Sequence, residues 1–167
     1  MTPRAKVTLR SVVPADGPFL AALYASTRVT ELAAVPWDAA TRRAFLAQQL
    51  AAQTASWSTT FPELDRLLVV VDGRPAGRLY VDRAPTLLHL VDIALLPGLR
   101  GRGIGSVLLT RLIGEADGVG IPITLHVAHD NPARSLYERF GFRAVEEQPF
   151  HIRMTRPAGQ SRLTMAT

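Results

Sequence analysis

The residues whose types and spacing most clearly indicate a chemical function are the glycines and arginines of residues 98–106, which read GLRGRGIGS. An apolar run ends just before them and apolar residues at helical spacing follow, so this segment joins a strand to a helix. Glycine permits the positive φ angles and the close backbone approach that a tight anion-binding turn requires. The free N–H groups and the positive end of the helix dipole favour a phosphate or a pyrophosphate. Arg100 and Arg102 add positive charge beside the turn.

Two common phosphate-binding loops do not match this segment. The P-loop ends in Gly-Lys followed by Ser or Thr, and residues 91–106 contain no lysine. The dinucleotide fingerprint has three spaced glycines, and although Gly101 and Gly103 fit it, Ser106 takes the third position. The segment therefore predicts a phosphate site of another kind.

A second segment, residues 125–142, reads LHVAHDNPARSLYERFGF and predicts a short helix between two strands. Asn131 is suited to the N-cap and Pro132 to the first helical position, where its missing N–H has no cost. Gly141 is suited to the left-handed residue that ends the helix.

Together the two segments resemble the GCN5-related N-acetyltransferase (GNAT) family. The pattern Arg100-x-x-Gly103-x-Gly105 is similar to the family's motif A, and the run from Asn131 to Phe142 resembles its motif B, in the same order along the chain. The resemblance covers about residues 7–154, with the specific motifs between about 91 and 142.

The resemblance implies a set of coenzyme-binding residues. In the family, the motif A loop holds the pyrophosphate of acetyl-coenzyme A (acetyl-CoA), the edge of the preceding strand pairs with the pantetheine arm, and the motif B asparagine approaches the coenzyme. The residues implied for these contacts are Ile93, Ala94, Leu95, Arg100, Gly101, Arg102, Gly103, Ile104, Gly105, Ser106 and Asn131. Tyr137 stands at the position of the usual general acid, and a phenol suits that role because it is protonated at neutral pH.

The general base and the acceptor site are less determined. His126, which stands where some relatives have glutamate, and Asp92, just before the pantetheine-binding edge, are the candidate bases, and water is the alternative. Arg28 and Glu31 are three positions apart and are the candidate acceptor-binding residues, with a solvated surface ion pair as the competing interpretation. The weaker acceptor-site candidates are Trp37, Gln49, Gln53, Trp57 and Tyr80.

These assignments imply an acetyl-CoA-dependent N-acetyltransferase that transfers the acetyl group directly to a primary amine in a ternary complex. The chain contains no cysteine, so an acetyl-cysteine intermediate is excluded. The competing hypothesis is a non-catalytic acyl-CoA sensor, which would need the loop but not Tyr137. The acceptor is expected to be a small molecule or a peptide that carries an amine.

Composition restricts the other functional classes. The 167 residues predict one domain over residues 1–156 and a loose tail over 157–167. The net charge of +5 comes from arginines dispersed along the chain without interleaved aromatics, so nucleic acid is not an expected partner and remains a minor alternative. Neither a signal peptide nor a membrane-spanning run is present, which predicts a cytoplasmic protein with no membrane partner. No metal site is predicted, and the residues leave open whether the chain forms a homodimer.

The elements that must position these residues are predicted from periodicity and turn signals. Asp16 and Asp38 are predicted N-caps, the first for a helix through Phe19 and Tyr24, the second for a helix that ends near Ser56. The predicted strands are Lys6–Val13, Leu67–Val71, Ala76–Val81, Leu87–Leu95, Ile123–Val127, Arg143–Glu147 and Phe150–Met154. The first is half-buried with Val7, Leu9 and Val13 toward one side, and Asp72-Gly73 is the predicted hairpin turn between the second and third. The resemblance implies an α/β (α+β) fold in which a mixed, mostly antiparallel sheet is flanked by helices. In that fold the parallel strands carrying motifs A and B splay apart.

Overall fold

A computed structural model of the protein describes residues 4–159, so residues 160–167 of the predicted tail lie outside the described residues. The strands are β1 (Val7–Ser11), β2 (Asp65–Val71), β3 (Arg74–Ala84), β4 (Leu87–Leu95), β5 (Ile123–Ala128), β6 (Arg143–Glu147) and β7 (His151–Arg156). The helices are α1 (Gly17–Thr27), α2 (Val29–Leu32), α3 (Ala39–Thr60), α4 (Ile104–Val119) and α5 (Ala133–Arg139).

The strands form one seven-stranded mixed sheet in the order β1-β2-β3-β4-β5-β7-β6. Strands β4 and β5 are parallel, whereas β1 and β2, β5 and β7, and β6 and β7 pair antiparallel. The parallel register recorded for the described residues is three pairs long, from Leu88 opposite Ile123 to Leu90 opposite Leu125. This confirms the predicted fold class of a mostly antiparallel sheet with flanking helices.

The chain forms two compact units, and β3 and β4 each contribute to both. The first unit contains residues up to Tyr80 together with Asp92–Arg102. Its strands β1 and β2 pair from Val7 opposite Val71 to Ser11 opposite Leu67. The turn after β2 has φ of 49° at Asp72 and 80° at Gly73, which are the two left-handed positions of a type I′ hairpin and confirm that prediction.

Gly77 permits a close approach of two main chains within this unit. A Cβ atom at Gly77 of β3 would lie 2.1 Å from the carbonyl oxygen of Ala94 in β4. The neighbouring N–H of Leu96 donates to the carbonyl of Ala76 at 2.9 Å. Only glycine therefore fits at position 77 without displacing the end of β4, the segment predicted to hold the pantetheine arm.

The second unit contains Val81–Val91 and the residues from Gly103 onward. Its core is formed by one face of α4 and by inward-facing residues of the strands and of the segment after α5. The fully or nearly fully buried apolar members are Val81, Leu88, Leu90, Ile104, Leu108, Leu109, Leu112, Ala116, Ile123, Leu125, Val127, Phe142, Ile152 and Met154. The α4 members recur every three or four positions, as expected for a helix with one apolar face.

Three local predictions are corrected. The carboxylate of Asp16 makes no capping hydrogen bond to α1; instead it accepts two hydrogen bonds from the Arg10 guanidinium, at 2.8 and 2.9 Å. Val13 lies beyond the end of β1 and is 46% exposed, so it is not part of the buried face. Helix α3 continues to Thr60, past the predicted end near Ser56, because no glycine or proline interrupts it before Pro62. Its predicted Asp38 cap is confirmed by the 2.7 Å hydrogen bond from the N–H of Thr41.

Candidate active site

The glycine-rich segment has the geometry of an anion-binding turn. Gly101 and Gly103 have φ of 71° and 81°, a region that side-chain-bearing residues rarely adopt. The first helical hydrogen bond runs from the Val107 N–H to the Gly103 carbonyl, so the N–H groups of residues 104–106 have no helical acceptor. No heavy atom within 4 Å would meet a Cβ atom at Gly101 or Gly103, so the main chain of the turn is open to a ligand.

The two arginines of this segment differ in their contacts. The Nε of Arg100 donates to the carbonyl of Leu95 at 3.0 Å and thereby ties the turn to the end of β4. Arg102 is exposed and makes no hydrogen bond or ion pair with the described residues. Arg102 is therefore the freer positive charge for a phosphate.

The end of β4 presents alternating main-chain groups. Because the Ala94 carbonyl lies against Gly77 and the Leu96 N–H bonds to β3, the main-chain groups of Ile93 and Leu95 point to the opposite edge of β4. Of the three residues predicted to pair with the pantetheine arm, Ile93 and Leu95 are thus the ones with outward N–H groups.

The motif B segment forms a short, doubly capped helix. Its assigned start is Ala133, one residue after the predicted start at Pro132, although Pro132 already has helical dihedral angles. The side chain of Asn131 accepts a 2.9 Å hydrogen bond from the Ala133 N–H, which is the predicted capping contact. Asn131 is exposed, so its side-chain NH₂ group remains directed to solvent or to a ligand.

Tyr137 is fixed by the C-terminal cap of the same helix. Gly141 has φ of 91°, the N–H of Phe142 donates to the Tyr137 carbonyl at 3.1 Å, and the Gly141 N–H donates to the Glu138 carbonyl at 3.1 Å. This is the hydrogen-bond pattern of a Schellman motif, and its apolar contact is the Tyr137–Phe142 ring pair with centroids 5.9 Å apart. Tyr137 is 6% exposed, so its ring orientation is set by packing.

His126, one of the two candidate bases, is an exposed residue of β5 next to a second histidine. Its ring centroid lies 5.3 Å from that of His89 on β4. Burial, followed by the nearby charge of Arg153, lowers the pKa of His126, and burial, followed by His126, lowers the pKa of His89 to about 4. Both rings are therefore neutral at pH 7, and the lowered pKa makes each a weaker base than a solvated histidine.

Asp92, the other candidate base, lies in a different environment. His89 and Asp92 are three positions apart on β4 and point to opposite faces of that strand. The carboxylate of Asp92 is 24% exposed and forms a 2.6 Å ion pair with Arg78 of β3, whose side chain is 5% exposed. Burial raises the pKa of Asp92, and the Arg78 guanidinium opposes that rise.

Arg78 was not among the site residues predicted from the sequence. A single arginine in an apolar strand has no spacing that indicates its partner, since Asp92, Gln53 and Trp57 come from other elements. The alternation of β3 is the one available signal, because it places Arg78 on the same face as Tyr80.

Arg28 and Glu31, the predicted acceptor-binding pair, form an ion pair between α1 and α2. The Arg28 guanidinium donates to both carboxylate oxygens of Glu31, at 2.9 and 3.1 Å, and lies 5.2 Å from the centre of the Tyr24 ring. The pair is partly solvated, with side-chain exposures of 36% for Arg28 and 62% for Glu31. Arg28 also borders a largely apolar cavity of about 410 Å³ between α1, α2 and α3.

Residues 4–159 contain no cluster of three or more histidine, cysteine, aspartate or glutamate side chains that could ligate a metal. Within the same range no helix combines the length and the apolarity needed to cross a membrane.

An apolar strand, a turn with two left-handed glycines and an open helix N-terminus together form a site suited to an anion such as a phosphate. A family model described as the Acetyltransferase (GNAT) family matches residues 26–142. The match covers more than half of the chain, and the chain belongs to this family.

Comparisons with individual proteins agree with that assignment. A segment of 58 residues is 41% identical to the [ribosomal protein bS18]-alanine N-acetyltransferase of Haemophilus influenzae, covering 34% of this chain and 40% of that protein. Among solved structures, the PaiA N-acetyltransferase of Thermoplasma acidophilum in complex with coenzyme A is similar, with a TM-score of 0.68 and 16% identity over 91% of this chain and 99% of that one. The ribosomal-protein-S18-alanine N-acetyltransferase of Escherichia coli gives a TM-score of 0.58 and 23% identity over 93% and 98% of the two chains. At these identities the structural likeness establishes the fold.

Proposed function

We propose that this protein is an acetyl-CoA-dependent N-acetyltransferase that transfers the acetyl group directly to a primary amine in a ternary complex. The observation that carries the proposal is the open turn at Gly101 and Gly103, with free N–H groups at the start of α4, in a chain of this family. The turn offers main-chain donors and the charge of Arg102 to a pyrophosphate. When bound, acetyl-CoA supplies an activated thioester.

The residues of the chain would act on that thioester as follows. Main-chain N–H groups of Ile93 and Leu95 orient the pantetheine arm and its carbonyl. The amine nitrogen forms a bond to the carbonyl carbon, the carbon–sulfur bond breaks, and the Tyr137 hydroxyl donates its proton to the departing thiolate. The proton lost by the amine passes to a base, for which His126, Asp92 and water are the candidates.

A peptide N-terminus is the first acceptor to test. The support is the 41% identity over 58 residues to an enzyme named as acetylating an alanine of ribosomal protein bS18. Arg28 and Glu31 are the proposed acceptor-binding residues, since Arg28 borders a cavity between α1, α2 and α3 and the ion pair offers a positive and a negative group side by side. The predicted compartment is the cytoplasm, because a chain without cysteine needs no disulfide and so is compatible with reducing conditions.

The experiment is free-thiol release from acetyl-CoA with a panel of amines: an alanine-initiated hexapeptide, a polyamine and an aminoglycoside. The same hexapeptide with an acetylated N-terminus is the control, because it lacks only the nucleophile. We expect turnover with at least one free amine and none with the blocked peptide. Stabilisation by coenzyme A without thiol release from any amine would instead favour the acyl-CoA sensor.

A further inference from the structure

The side chain of Arg78 is the most enclosed charge in the first unit. It lies on β3 at 5% exposure, and its guanidinium carbon lies 5.3 Å from the centre of the Trp57 ring and 5.1 Å from that of Tyr80. Its Nη2 donates to the side-chain oxygen of Gln53 at 3.1 Å. The guanidinium therefore contacts one amide and two aromatic rings that lie at 80° to each other, and these contacts restrict its orientation.

This clamped guanidinium holds one oxygen of Asp92. The Nε of Arg78 donates to Oδ2 of Asp92 at 2.6 Å, and Oδ1 accepts no hydrogen bond from residues 4–159. Asp92 immediately precedes Ile93, the first residue of the strand end assigned to the pantetheine arm. One carboxylate oxygen is thus fixed, while the other is free to accept a proton at that position on β4.

We propose that Asp92 accepts the proton of the acceptor amine and that Arg78, clamped by Trp57, Tyr80 and Gln53, is the positioning residue that holds the Asp92 carboxylate ionised and oriented. The inference rests on the proposed acetyltransferase function. Of the three candidate bases, this inference selects Asp92. Gln53, Trp57 and Tyr80, which were acceptor-site candidates, then have the role of positioning Arg78.

The charged and titratable groups around Asp92 predict how its pKa changes when Arg78 is removed. Arg78 is the group in contact; Tyr80 also faces Asp92 from β3, and Arg66 of β2 lies 6.0 Å from the Tyr80 ring centre. Burial raises the pKa of the Tyr80 phenol, so Tyr80 is neutral at pH 7. Burial also raises the pKa of Asp92, against which the Arg78 charge acts. Loss of that charge should therefore raise the pKa of Asp92 further, so that a higher pH is needed to ionise it.

The test compares Arg78→Met, Arg78→Lys and Arg83→Met with the wild type. Arg83→Met is the matched control because it removes an exposed arginine of the same strand, whose carboxylate partner is Glu115 of α4. Two readouts are measured: the pH dependence of kcat for thiol release with the alanine-initiated hexapeptide, or with whichever panel amine reacts, and the titration of the Asp92 carboxyl carbon by NMR. The use of kcat removes the protonation of the free amine from the profile.

We expect Arg78→Met to move the acidic limb of kcat and the Asp92 titration upward together, by about one to three pH units. Arg78→Lys keeps the charge but loses the contacts of the planar guanidinium with Trp57, Tyr80 and Gln53, so its limb should stay in place while kcat falls about ten- to a hundredfold. The Arg83→Met profile should match the wild type. If Arg78→Met does not fold, Gln53→Leu tests the same clamp and should lower kcat without changing coenzyme A affinity.

Two results would overturn the inference while leaving acetyl transfer intact. One is an Asp92 titration that moves in Arg78→Met while the kcat limb stays in place, which would exclude Asp92 as the base. The other is an Asp92 titration that does not move, or wild-type kcat in both Arg78→Lys and Gln53→Leu. Failure of the proposed function is recognised separately, because the wild-type protein would then release no thiol with any amine.

Discussion

At the scale of single residues, the side chains of the proposed site are oriented by backbone caps and by neighbouring side chains. Tyr137 is the clearest case. The Schellman motif at Gly141 fixes the end of α5, and Phe142 packs on the Tyr137 ring, so the phenol has one orientation before any substrate binds. Pre-organisation of this kind is what general acid catalysis requires.

Tyr137→Phe removes only the hydroxyl group, so the ring packing and coenzyme A affinity should be retained. The lost proton transfer should lower kcat about ten- to a thousandfold, and the lower part of this range is expected because a thiolate is a fairly good leaving group. Steady-state thiol release and coenzyme titration of the same variant provide the measurement. An unchanged kcat, with chemistry as the rate-limiting step, would reduce Tyr137 to a packing residue.

Arg28→Ala should raise the acceptor KM and leave coenzyme A affinity unchanged if the Arg28–Glu31 pair lines the acceptor site. An acceptor that bears a carboxylate should be affected most, because a guanidinium binds a carboxylate through two parallel hydrogen bonds. Glu31→Gln is the companion variant. Wild-type kinetics in both variants would mean that Arg28 and Glu31 form a solvated surface ion pair with no role in acceptor binding, and such pairs contribute little to stability.

At the scale of elements, the turn before α4 depends on backbone conformation more than on packing. Gly103 has φ of 81° and space around its Cβ position, so a side chain there is strained by the backbone and enters the volume open to a ligand. Gly114, in the middle of the same helix, also has no atom within 4 Å of its Cβ position but lacks a positive φ. A comparison of substitutions at Gly103 and Gly114 therefore tests whether the positive φ, rather than the absence of a side chain in general, is required.

Gly103→Val should abolish the thermal stabilisation that coenzyme A gives the wild type, while the protein stays folded. At a hundredfold excess of ligand over its Kd this stabilisation is about 2.7 kcal/mol. Gly114→Ala should keep it and add about 0.5–1 kcal/mol of helix stability. Thermal melts of both variants with and without coenzyme A give the comparison, and full retention of the shift by Gly103→Val would mean that the pyrophosphate site is misassigned.

At the scale of the whole molecule, acid stability should depend on a buried carboxylate between β1 and α1. The Arg10 guanidinium and then the Val13 N–H lower the pKa of Asp16 to about 2, and Asp16 is 7% exposed. A carboxylate whose folded pKa lies below its unfolded value of about 3.9 contributes stability above that value, and the contribution is lost as pH falls toward 2.

Asp16→Asn should therefore be less stable than the wild type at pH 6, and the difference should shrink as pH falls from about 4 to about 2. Denaturant midpoints at pH 6 and at pH 2.5 measure it. Glu63→Gln is the control, since Glu63 is exposed and makes no ion pair with the described residues. A difference between Asp16→Asn and wild type that is equal at both pH values would contradict the assigned pairing.

Much of this protein was determined by local sequence. The hairpin at Asp72 and Gly73, strands β4 and β6, the Asp38 cap and the left-handed Gly141 were all predicted, because each depends on the conformational preferences of neighbouring residues. The glycine turn and the motif B helix belong to the same group, and they sufficed to indicate the family. The end of α3 and the role of Asp16 were wrong, since a helix end without a strong stop signal and a carboxylate with two competing partners are decided by contacts outside the segment.

Only the tertiary structure decided which charges meet. From the sequence, Asp92 and His126 were equivalent candidate bases, yet β4 directs Asp92 and His89 to opposite faces, and the ring of His126 lies beside that of His89 at a tilt of 53°. The partner of Asp92 is Arg78 of β3, 14 residues away in sequence. Arg78 in turn bonds Gln53 of α3, which is 25 residues from it. Local propensity carries no information over such separations, because strand register and helix packing bring these side chains together only when the chain has folded. The type of chemistry could therefore be predicted from the sequence, whereas the burial and the charged neighbours of the candidate bases were determined by the fold.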